Sequence, residues 1–252
     1  MRLRVATFNI RNVNDRYAER KSLLGDAFVA IDAHIIGLQE VGFRAGKRQD
    51  DFLAESALRM GRKYLSLESR SERLPEFGTA ILFTTGQVSA HQEIPIGEGR
   101  TAQRALFTLP GQRTVWFANT HLHHVPGEPE IRDQQVERIV DWMADAPEAD
   151  ATVVVGDFNA PPNEPAYARM RAGGYRSASF EANGAEPDVT WPSGIQAPTM
   201  DTDGDPNCLD YIWVRGRARV LTARVAANEH ARGDPTLYPS DHFAVVADVE
   251  VG

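Results

Sequence analysis

The chain contains 252 residues, of which 42% are hydrophobic and 25% are charged, and its formal net charge is −8. This composition lies in the ordinary globular range, while the length suits one large domain or two small ones. The negative charge argues against tight, sequence-independent binding of nucleic acid, which depends on clustered Lys and Arg. The single cysteine, Cys208, excludes an intrachain disulfide and a cysteine-based zinc site.

Targeting signals are not apparent in the sequence. The first residues, MRLRVATFNI, form too short and too interrupted an apolar segment for a signal peptide. Apolar runs elsewhere do not approach the length of a membrane span. We therefore expect a cytoplasmic protein that does not associate with a membrane, and no feature of the sequence indicates a protein partner.

Short segments rich in β-branched and aromatic residues recur along the chain and predict strands. In chain order they are LRVATFNI, HIIGLQEV, TAILFTT, RALFTL, TVWFANTHL, ATVVVGDFN, CLDYIWV and FAVVADVEV. Runs such as TVVV and IIGL are continuous rather than alternating, which is typical of strands covered on both faces. The pattern predicts sheets that lie between layers of helices.

Two segments between these strands carry apolar residues at helical spacing. Leu24, Ala27, Phe28 and Ile31 follow the spacing i, i+3, i+4, i+7, which recurs over residues 136–143. Each pattern predicts a helix with one apolar face packed on a sheet. Because no repeat, low-complexity tract or linker divides the chain, we expect residues 1–252 to form a single domain.

The segment from Glu181 to Asn207 is long, polar and rich in Pro, Gly and Asp. A long irregular segment inside a compact domain is more often functional than idle, so we predict a specificity loop here. Its run DTDGD fails the pattern of a calcium-binding loop, because Gly204 stands at the wrong position and no Glu follows where the bidentate ligand belongs. We expect Asp201, Asp203 and Asp205 to lie in a solvated loop.

Polar side chains stand at the ends of the predicted strands, where a rigid backbone can present them to solvent. Carboxylates with an amide oxygen suit a hard cation such as Mg²⁺ or Mn²⁺, whereas zinc more often recruits several His or Cys ligands. Such an ion beside a histidine can stabilise charge on a phosphoryl oxygen and make a water molecule nucleophilic. Taken singly, each residue has a structural alternative as a helix cap or turn residue. The polar residues at or beside the predicted strand ends are Asn9, Glu40, His121, Asp157, Asn159, Asp210, Asp241 and His242.

Six short motifs appear in order between Thr7 and His242, namely TFNI, LQEV, NTHL, GDFN, LDYI and SDH. Together they resemble the endonuclease/exonuclease/phosphatase family, the DNase I-like metal-dependent phosphoesterases, over nearly the whole chain. The resemblance implies an α/β fold, a four-layer α/β/β/α sandwich in which two mixed β-sheets pack face to face with helices outside. It also implies a site where loops from both sheets converge.

The resemblance implies roles for residues at a metal site and around the attacking water. Glu40 looks like the main metal ligand, Asn9 assists it, and Asp241 adds a metal contact. Asp157 resembles the residue that positions or deprotonates the water, and Asn159 the residue that holds the water or a phosphate oxygen. The implied cofactor is Mg²⁺ or Mn²⁺, as one ion or two.

The phosphate contacts implied by the resemblance come from two histidines. His242 stabilises the transition state and is oriented by Asp210, since a histidine bonded to a carboxylate keeps its tautomer and is a better cation. His121 resembles the residue that binds the phosphate or assists the leaving group. The general base stays open between Asp157 and His242.

Three further residues are candidate substrate contacts, each with a structural alternative. Arg11 follows the TFNI motif and either binds a phosphate bidentately or is solvated. His123 and His124 extend NTHL, and strand alternation would turn one of them away if the strand continues, so we expect one contact at most and assign it to His123. Trp191 stacks on a base or sugar, or is simply packed.

The predicted function is hydrolysis of a phosphoester bond in a small or modest-sized phosphorylated substrate by a metal-activated water. A nuclease acting on DNA or RNA is the alternative. It ranks second because only RAGKRQ and RKYLSLESRSERL resemble basic stretches, and the second is interleaved with glutamates as in a solvated face.

Two other classes of protein are disfavoured. A non-catalytic binding module would have lost at least one of Glu40, Asp157, Asp210 or His242, and all four are present. A metal-free hydrolase with a serine nucleophile would be expected to carry a GxSxG turn, which the sequence lacks.

Overall fold

The computed structural model describes residues 1–71, 73–198, 200 and 205–252, and in this part of the chain two six-stranded sheets pack face to face with helices outside. The predicted α/β/β/α sandwich is therefore confirmed. Residues 201–204, which include Asp201 and Asp203 of the predicted solvated loop, lie outside the described residues.

Twelve strands and five helices make up the described part of the chain. The strands are β1 (Arg2–Asn9), β2 (Ile35–Gly42), β3 (Leu65–Arg70), β4 (Phe77–Phe83), β5 (Gln87–Gly97), β6 (Arg100–Leu109), β7 (Arg113–His121), β8 (Ala151–Asp157), β9 (Arg176–Ser177), β10 (Asp210–Gly216), β11 (Ala218–Ala226) and β12 (Ala244–Val251). The helices are α1 (Tyr17–Ile31), α2 (Gln49–Leu58), α3 (Pro129–Ala144), α4 (Pro165–Ala172) and α5 (Ala178–Asn183). The strand order is β11-β12-β1-β2-β4-β3 in one sheet and β5-β6-β7-β8-β10-β9 in the other.

Both sheets are mixed, and both are buried on two faces. The pairs β1–β2 and β7–β8 are parallel, and the other strand pairs are antiparallel. In β8, Val153 and Val155 face the opposite sheet, whereas Val154 packs under α3 and α4. Ile35 and Ile36 divide in the same way between the inter-sheet core and the layer of α1 and α2. This double burial explains why these strands read as continuous apolar runs.

All eight predicted strands are present, but β3, β5, β9 and β11 were not predicted. All four are edge strands, and β3, β5 and β11 carry many exposed polar residues, while β9 has only two residues. Edge strands lack the apolar pattern that covered strands need. The helices α2, α4 and α5 were also missed. None of the helices in the described residues has the length and apolar character needed to cross a membrane.

The predicted specificity loop is shorter and more ordered than expected. Its beginning belongs to α5, which ends at Asn183. An isolated antiparallel bridge joins Trp191 in the middle of this loop to Asn207, its last residue. The expectation of an entirely irregular segment from Glu181 was wrong, because Ser177 caps α5 by accepting a hydrogen bond from the backbone of Phe180.

Strand pairing brings the predicted site residues to one end of the sandwich. In the second sheet, Asp157 at the end of β8 pairs with His121 at the end of the parallel strand β7. The antiparallel strand β10 begins at Asp210, opposite the same residue. Asn9 ends β1 in the facing sheet, beside Gln39 of β2. One end of the two sheets therefore gathers side chains that are distant in sequence.

A buried amide joins the two sheets near this end. Asn119 of β7 donates from Nδ2 to the carbonyl oxygens of Leu38 and Ala80 at 3.0 and 2.9 Å, and its Oδ1 accepts from Gln39 Nε2 at 2.7 Å. Gly37 makes this approach sterically feasible, because a Cβ atom there would lie 2.7 Å from Asn119 Oδ1 and 2.5 Å from a methyl group of Val155. Both sheets are thus in near contact at Gly37.

Replacing Gly37 by alanine should push the two sheets apart locally. Because the obstructing atoms are buried and packed, we expect Gly37→Ala to lower the free energy of unfolding by about 1–3 kcal/mol, as overpacking does. The measurement is denaturant unfolding followed by circular dichroism. Gly252→Ala is the matched control, since its nearest contacts would lie at an ordinary 3.7 Å or more. Equal midpoints for both variants would contradict the close approach.

Candidate active site

Asp157 is the centre of the site and is almost completely buried. Its Oδ2 accepts a hydrogen bond from Asn9 Nδ2 at 2.9 Å, and its Oδ1 accepts one from the backbone N–H of Asn159 at 2.9 Å. The Nε2 atoms of His121 and His242 lie 3.4 and 3.6 Å from Oδ2. Burial raises the pKa of Asp157 to about 6, although the neighbouring His242 acts in the opposite direction.

His242 forms a buried pair with Asp210. Its Nδ1 lies 2.9 Å from Asp210 Oδ2, as the sequence predicted for an orienting partner. Burial lowers the pKa of His242, but Asp210, Asp157 and Asp241 raise it more strongly, and the result is a pKa of about 10. The ring is therefore a cation at neutral pH, with Nδ1–H donating to Asp210 and Nε2–H facing Asp157.

Glu40 is directed into the site by an irregularity of its strand. The β2–β4 register shifts between Leu38 and Val41, so two residues of β2 oppose one of β4, as in a β-bulge. Glu40 adopts a φ of 53°, in the left-handed region that non-glycine residues rarely occupy. Its Oε1 accepts from Asn9 Nδ2 at 3.2 Å. Burial and the nearby Asp241 raise the pKa of Glu40.

Arg11 and Asp241 complete the charged part of the site. Arg11 Nη1 lies 3.4 Å from Asp241 Oδ2, and its Nε donates to Asp15 at 2.6 Å. Burial lowers the pKa of Arg11, but Asp241, Glu40 and Asp15 raise it by more than burial lowers it. The guanidinium therefore stays charged. Arg11 contacts two carboxylates, Asp15 and Asp241, so these three side chains together carry an excess of negative charge.

A divalent cation fits this donor set. Glu40 and Asp241 are hard oxygen donors near each other, and burial together with the charge of Asp241 raises the pKa of Glu40. One oxygen of Asp210, Oδ1, is buried without a hydrogen-bond partner. In the described residues, potential ligand atoms of Asp157, Asp210 and His242 also lie within 4.8 Å of one another. Within that group the protonated His242 favours hydrogen bonding over metal ligation.

Two loops that carry site residues are held by a buried arginine. Arg20 of α1 is fully buried and donates all of its described hydrogen bonds to main-chain carbonyl oxygens. The acceptors are the carbonyl oxygens of Ile10, Arg11, Asn12, Asn14, Asp15 and Pro239. Arg20 thus fixes the loop after β1 against the segment that precedes Asp241 and His242. These contacts explain why residues with positive φ, such as Arg11, persist there.

The predicted specificity loop also supports the site from behind. Thr190 Oγ1 accepts from the backbone N–H groups of Leu209 and Asp210 at 2.8 and 3.1 Å. Ser193 Oγ donates to the carbonyl oxygen of Ser240, the first residue of the SDH motif, at 2.6 Å. This part of the loop therefore has a structural role, because it fixes the backbone of the Asp210–His242 pair.

The site opens into a cavity of about 720 Å³, which is in the range of small-ligand pockets. All the predicted site residues line this cavity except Asn9 and Asp210, which lie behind it and contact lining residues. Trp191 is on its wall, with its ring centroid 6.4 Å from that of His242. The lining residues predicted from the sequence are Arg11, Glu40, His121, His123, Asp157, Asn159, Trp191, Asp241 and His242.

Both His123 and His124 line the cavity, so neither is turned away from it, and the assignment of the substrate contact to His123 stays a prediction. Strand alternation does not apply to them, since β7 ends at His121. His123 is held by a hydrogen bond between its Nε2 and Glu128. His124 Nδ1 lies 3.1 Å from a guanidinium nitrogen of Arg100.

Some cavity residues were missed by the sequence analysis. Arg100 reaches the cavity from the start of β6, and Arg73 reaches it from a segment that we expected to be a solvated face. Arg132 also lines the cavity and is paired with Glu164 at 2.7 Å. The sequence around these arginines has no motif that marks them, because strand pairing and loop packing bring them to the cavity.

The four-layer sandwich and its carboxylate–histidine site define a DNase I-like protein. In agreement, residues 6–242 match the Endonuclease/Exonuclease/phosphatase family. The chain belongs to this family of phosphoester hydrolases, whose members generally depend on a divalent metal.

Similar proteins include both curated and structurally characterised relatives. Nocturnin of Xenopus laevis is 31% identical over 150 residues, which are 54% of this chain and 37% of that relative, so the chain spans little more than a third of its length. An endonuclease/exonuclease/phosphatase from Bacteroides vulgatus superposes with a TM-score of 0.79, at 21% identity and with 100% of both chains covered. D. rerio TDP2 complexed with single strand DNA product gives 0.79 at 17% identity, with 99% of each chain covered.

The ion pair between Asp210 and His242 should make the free energy of unfolding depend on pH. Because the pKa of His242 lies above the ordinary 6.5, at about 10, the stability from its charged form is full below pH 6.5 and is lost as the pH rises through 10. Asp210→Asn should lower this pKa and weaken the pH dependence of the free energy of unfolding. The pKa is measured by NMR titration of the ring protons, with Asp133→Asn as the control. A wild-type ring that titrates near 6.5 would contradict the buried ion pair.

Proposed function

We propose that this protein hydrolyses a phosphoester bond in a small or modest-sized phosphorylated substrate, by attack of a water molecule assisted by a divalent cation. The observation that carries the proposal is Asp157, a carboxylate with a pKa of about 6 that two histidines and Asn9 approach at the floor of a cavity. A base with a pKa near the working pH is suited to accept a proton from water. The proposal takes residues 1–252 as one catalytic domain in the cytoplasm.

We assign the cation to Glu40 and Asp241, and we take it to be Mg²⁺ or Mn²⁺, as one ion or two. Both carboxylates line the cavity, and hard oxygen donors favour these ions over zinc. When bound, the cation would neutralise charge on a phosphoryl oxygen. Asn9 assists by hydrogen bonding, since its Nδ2 donates to Glu40 and Asp157 while its Oδ1 accepts from the backbone of Arg11.

The protonation states divide the remaining roles. His242 is already protonated at neutral pH, so it cannot accept the proton of the water, and Asp157 is the general base in this proposal. Asn159 donates from Nδ2 to the carbonyl oxygen of Leu122, which leaves its Oδ1 to hold the water or a phosphate oxygen. His242 stabilises negative charge on the phosphoryl group while Asp210 keeps its orientation.

Arg11, His123 and Trp191 supply the substrate contacts in this proposal. Arg11 is partly engaged by Asp15 and Asp241, and it contributes a fixed positive charge beside the phosphate. His123 is oriented by Glu128 at the cavity wall. Trp191 presents its ring near His242, where a base or sugar attached to the phosphate would lie.

Nucleic acid is the second candidate substrate. Trp191 favours it, because stacking on an aromatic ring accepts any base. Four arginines line the cavity, namely Arg11, Arg73, Arg100 and Arg132, but Arg11, Arg73 and Arg132 are paired with carboxylates, so the positive charge offered to a polyanion is small. One structural relative was solved with a single-stranded DNA product, which makes the comparison of mononucleotide and oligonucleotide substrates worthwhile.

Chelation and substitution test the reaction. We expect chelator to abolish hydrolysis of bis-p-nitrophenyl phosphate or p-nitrophenyl phosphate, and Mg²⁺ or Mn²⁺ to restore it. Asp157→Ala should reduce kcat by on the order of 10²–10⁴-fold, as the loss of a general base does. Asp133→Asn is the matched surface control. Activity that survives exhaustive chelation would remove the cation from the mechanism, and a fully active Asp157→Ala would remove the base.

Trp191 tests the nature of the group next to the phosphate. Trp191→Ala should raise KM by roughly tenfold for the p-nitrophenyl ester of thymidine 5′-phosphate, because a stacked base contributes about 1–3 kcal/mol. Trp191→Phe, which keeps an aromatic face, should stay close to wild type. The same kinetics with the base-free deoxyribose analogue provide the control. An equal change in KM with both substrates would show that Trp191 does not stack on a base.

A further inference from the structure

Arg100 has unusual partners for an arginine in this cavity. It begins β6 just after the tight turn that follows β5, and its guanidinium faces the strand end at His121. Arg100 Nη1 lies 2.8 Å from His121 Nδ1, and Nη2 lies 3.1 Å from His124 Nδ1. The guanidinium of Arg100 therefore contacts the Nδ1 atom of each of two imidazole rings.

The other arginines of the cavity wall are paired with carboxylates. Arg11 pairs with Asp15 and Asp241, Arg73 with Glu98, and Arg132 with Glu164. Across residues 1–71, 73–198, 200 and 205–252, Arg100 has no carboxylate within 4.0 Å. The side-chain hydrogen bonds of Arg100 go to the two histidines, while the charges of Asp157 and Glu40 act on it from farther away. Its positive charge lowers the pKa of both rings, in addition to the effect of burial.

Hydrogen-bond chemistry decides which nitrogen of His121 carries the proton. A guanidinium has five N–H donors and no acceptor, so the Nδ1 atom at 2.8 Å must accept with its lone pair. In a neutral imidazole the proton then resides on Nε2. A doubly protonated ring would place Nδ1–H against an Arg100 N–H, and burial next to this positive charge holds the pKa of His121 well below its usual range.

The protonated nitrogen of His121 points at the reaction centre. Nε2 lies 3.4 Å from Asp157 Oδ2, on the floor of the cavity. His242 reaches the same carboxylate oxygen from the other side at 3.6 Å. A phosphoryl oxygen bound beside Asp157 would therefore meet an N–H group from each ring, one neutral and one cationic.

We propose that Arg100 is a positioning residue that holds His121 in the neutral Nε2–H tautomer, so that His121 binds a phosphoryl oxygen as a hydrogen-bond donor and does not protonate the leaving group. The substrate part of this inference rests on the proposed phosphoester hydrolysis. The tautomer part depends only on the geometry of Arg100 and His121.

The tautomer is tested without any turnover. Long-range ¹H–¹⁵N NMR spectra of the histidine rings are recorded at neutral pH for wild type and Arg100→Met, and His121→Gln identifies the His121 signals. We expect wild-type His121 to be neutral with its proton on Nε2, and Arg100→Met to populate the Nδ1–H or doubly protonated form. A wild-type ring with a proton on Nδ1 would overturn the proposal, whether or not the protein cleaves phosphoesters.

A double-mutant cycle tests the consequence for catalysis. His121→Gln keeps an N–H donor near the Nε2 position but has no equivalent of Nδ1, so it should retain kcat within about tenfold, whereas His121→Ala should lose about 10²-fold or more. Arg100→Met should reduce kcat when His121 is present and should have little further effect when His121 is replaced by Gln. Equal losses from Arg100→Met in both backgrounds, or equal damage from Gln and Ala, would overturn the proposal. Thermal unfolding of each variant confirms that it is folded.

Discussion

The structure depends on the cost of collecting carboxylates in one buried place. Asp157, Asp210 and Asp241 are each about 1% exposed, and Glu40 lies beside them. Charged groups that leave water must regain hydrogen bonds or opposite charges, or else they take up protons. The protein meets this requirement with cationic His242, with Arg11 and with the amide of Asn9, and part of the negative charge is left for a divalent cation.

Rigid backbone geometry around the site keeps these charges at fixed distances. Glu40, Arg11 and Asn159 all have positive φ, a conformation that costs free energy for non-glycine residues. The surrounding contacts repay this cost: Arg20 binds the carbonyl oxygens of the loop after β1, and Asn119 joins both sheets beside the bulge at Glu40. Strain and support therefore occur together at the end of the sandwich where the site lies.

Of the two histidines that flank Asp157, His242 is cationic and His121 is neutral, because the Nδ1 atoms of the two rings face partners of opposite charge. Asp210 accepts from His242 Nδ1 and favours the imidazolium, whereas Arg100 donates to His121 Nδ1 and favours the neutral ring. His121 at the end of β7 and His242 in the loop before β12 thus acquire two different functions, although they are the same residue type. In each ring Nε2 faces Asp157, and the charge state depends on the partner that binds Nδ1 on the other side of the ring.

The sequence by itself determined the layered fold and the family, and it named most of the residues that the structure brings together at the candidate site, because buried strands read as apolar runs and their polar ends read as motifs. It could not determine the edge strands β3 and β5, since exposed strands lack that pattern. Arg100, Thr190 and the full cavity wall also had to come from the tertiary structure, which brings them to the site across strand pairs and loops. The protonation of His121, His242 and Asp157 was decided there as well, because a pKa or tautomer depends on neighbours that are distant in sequence.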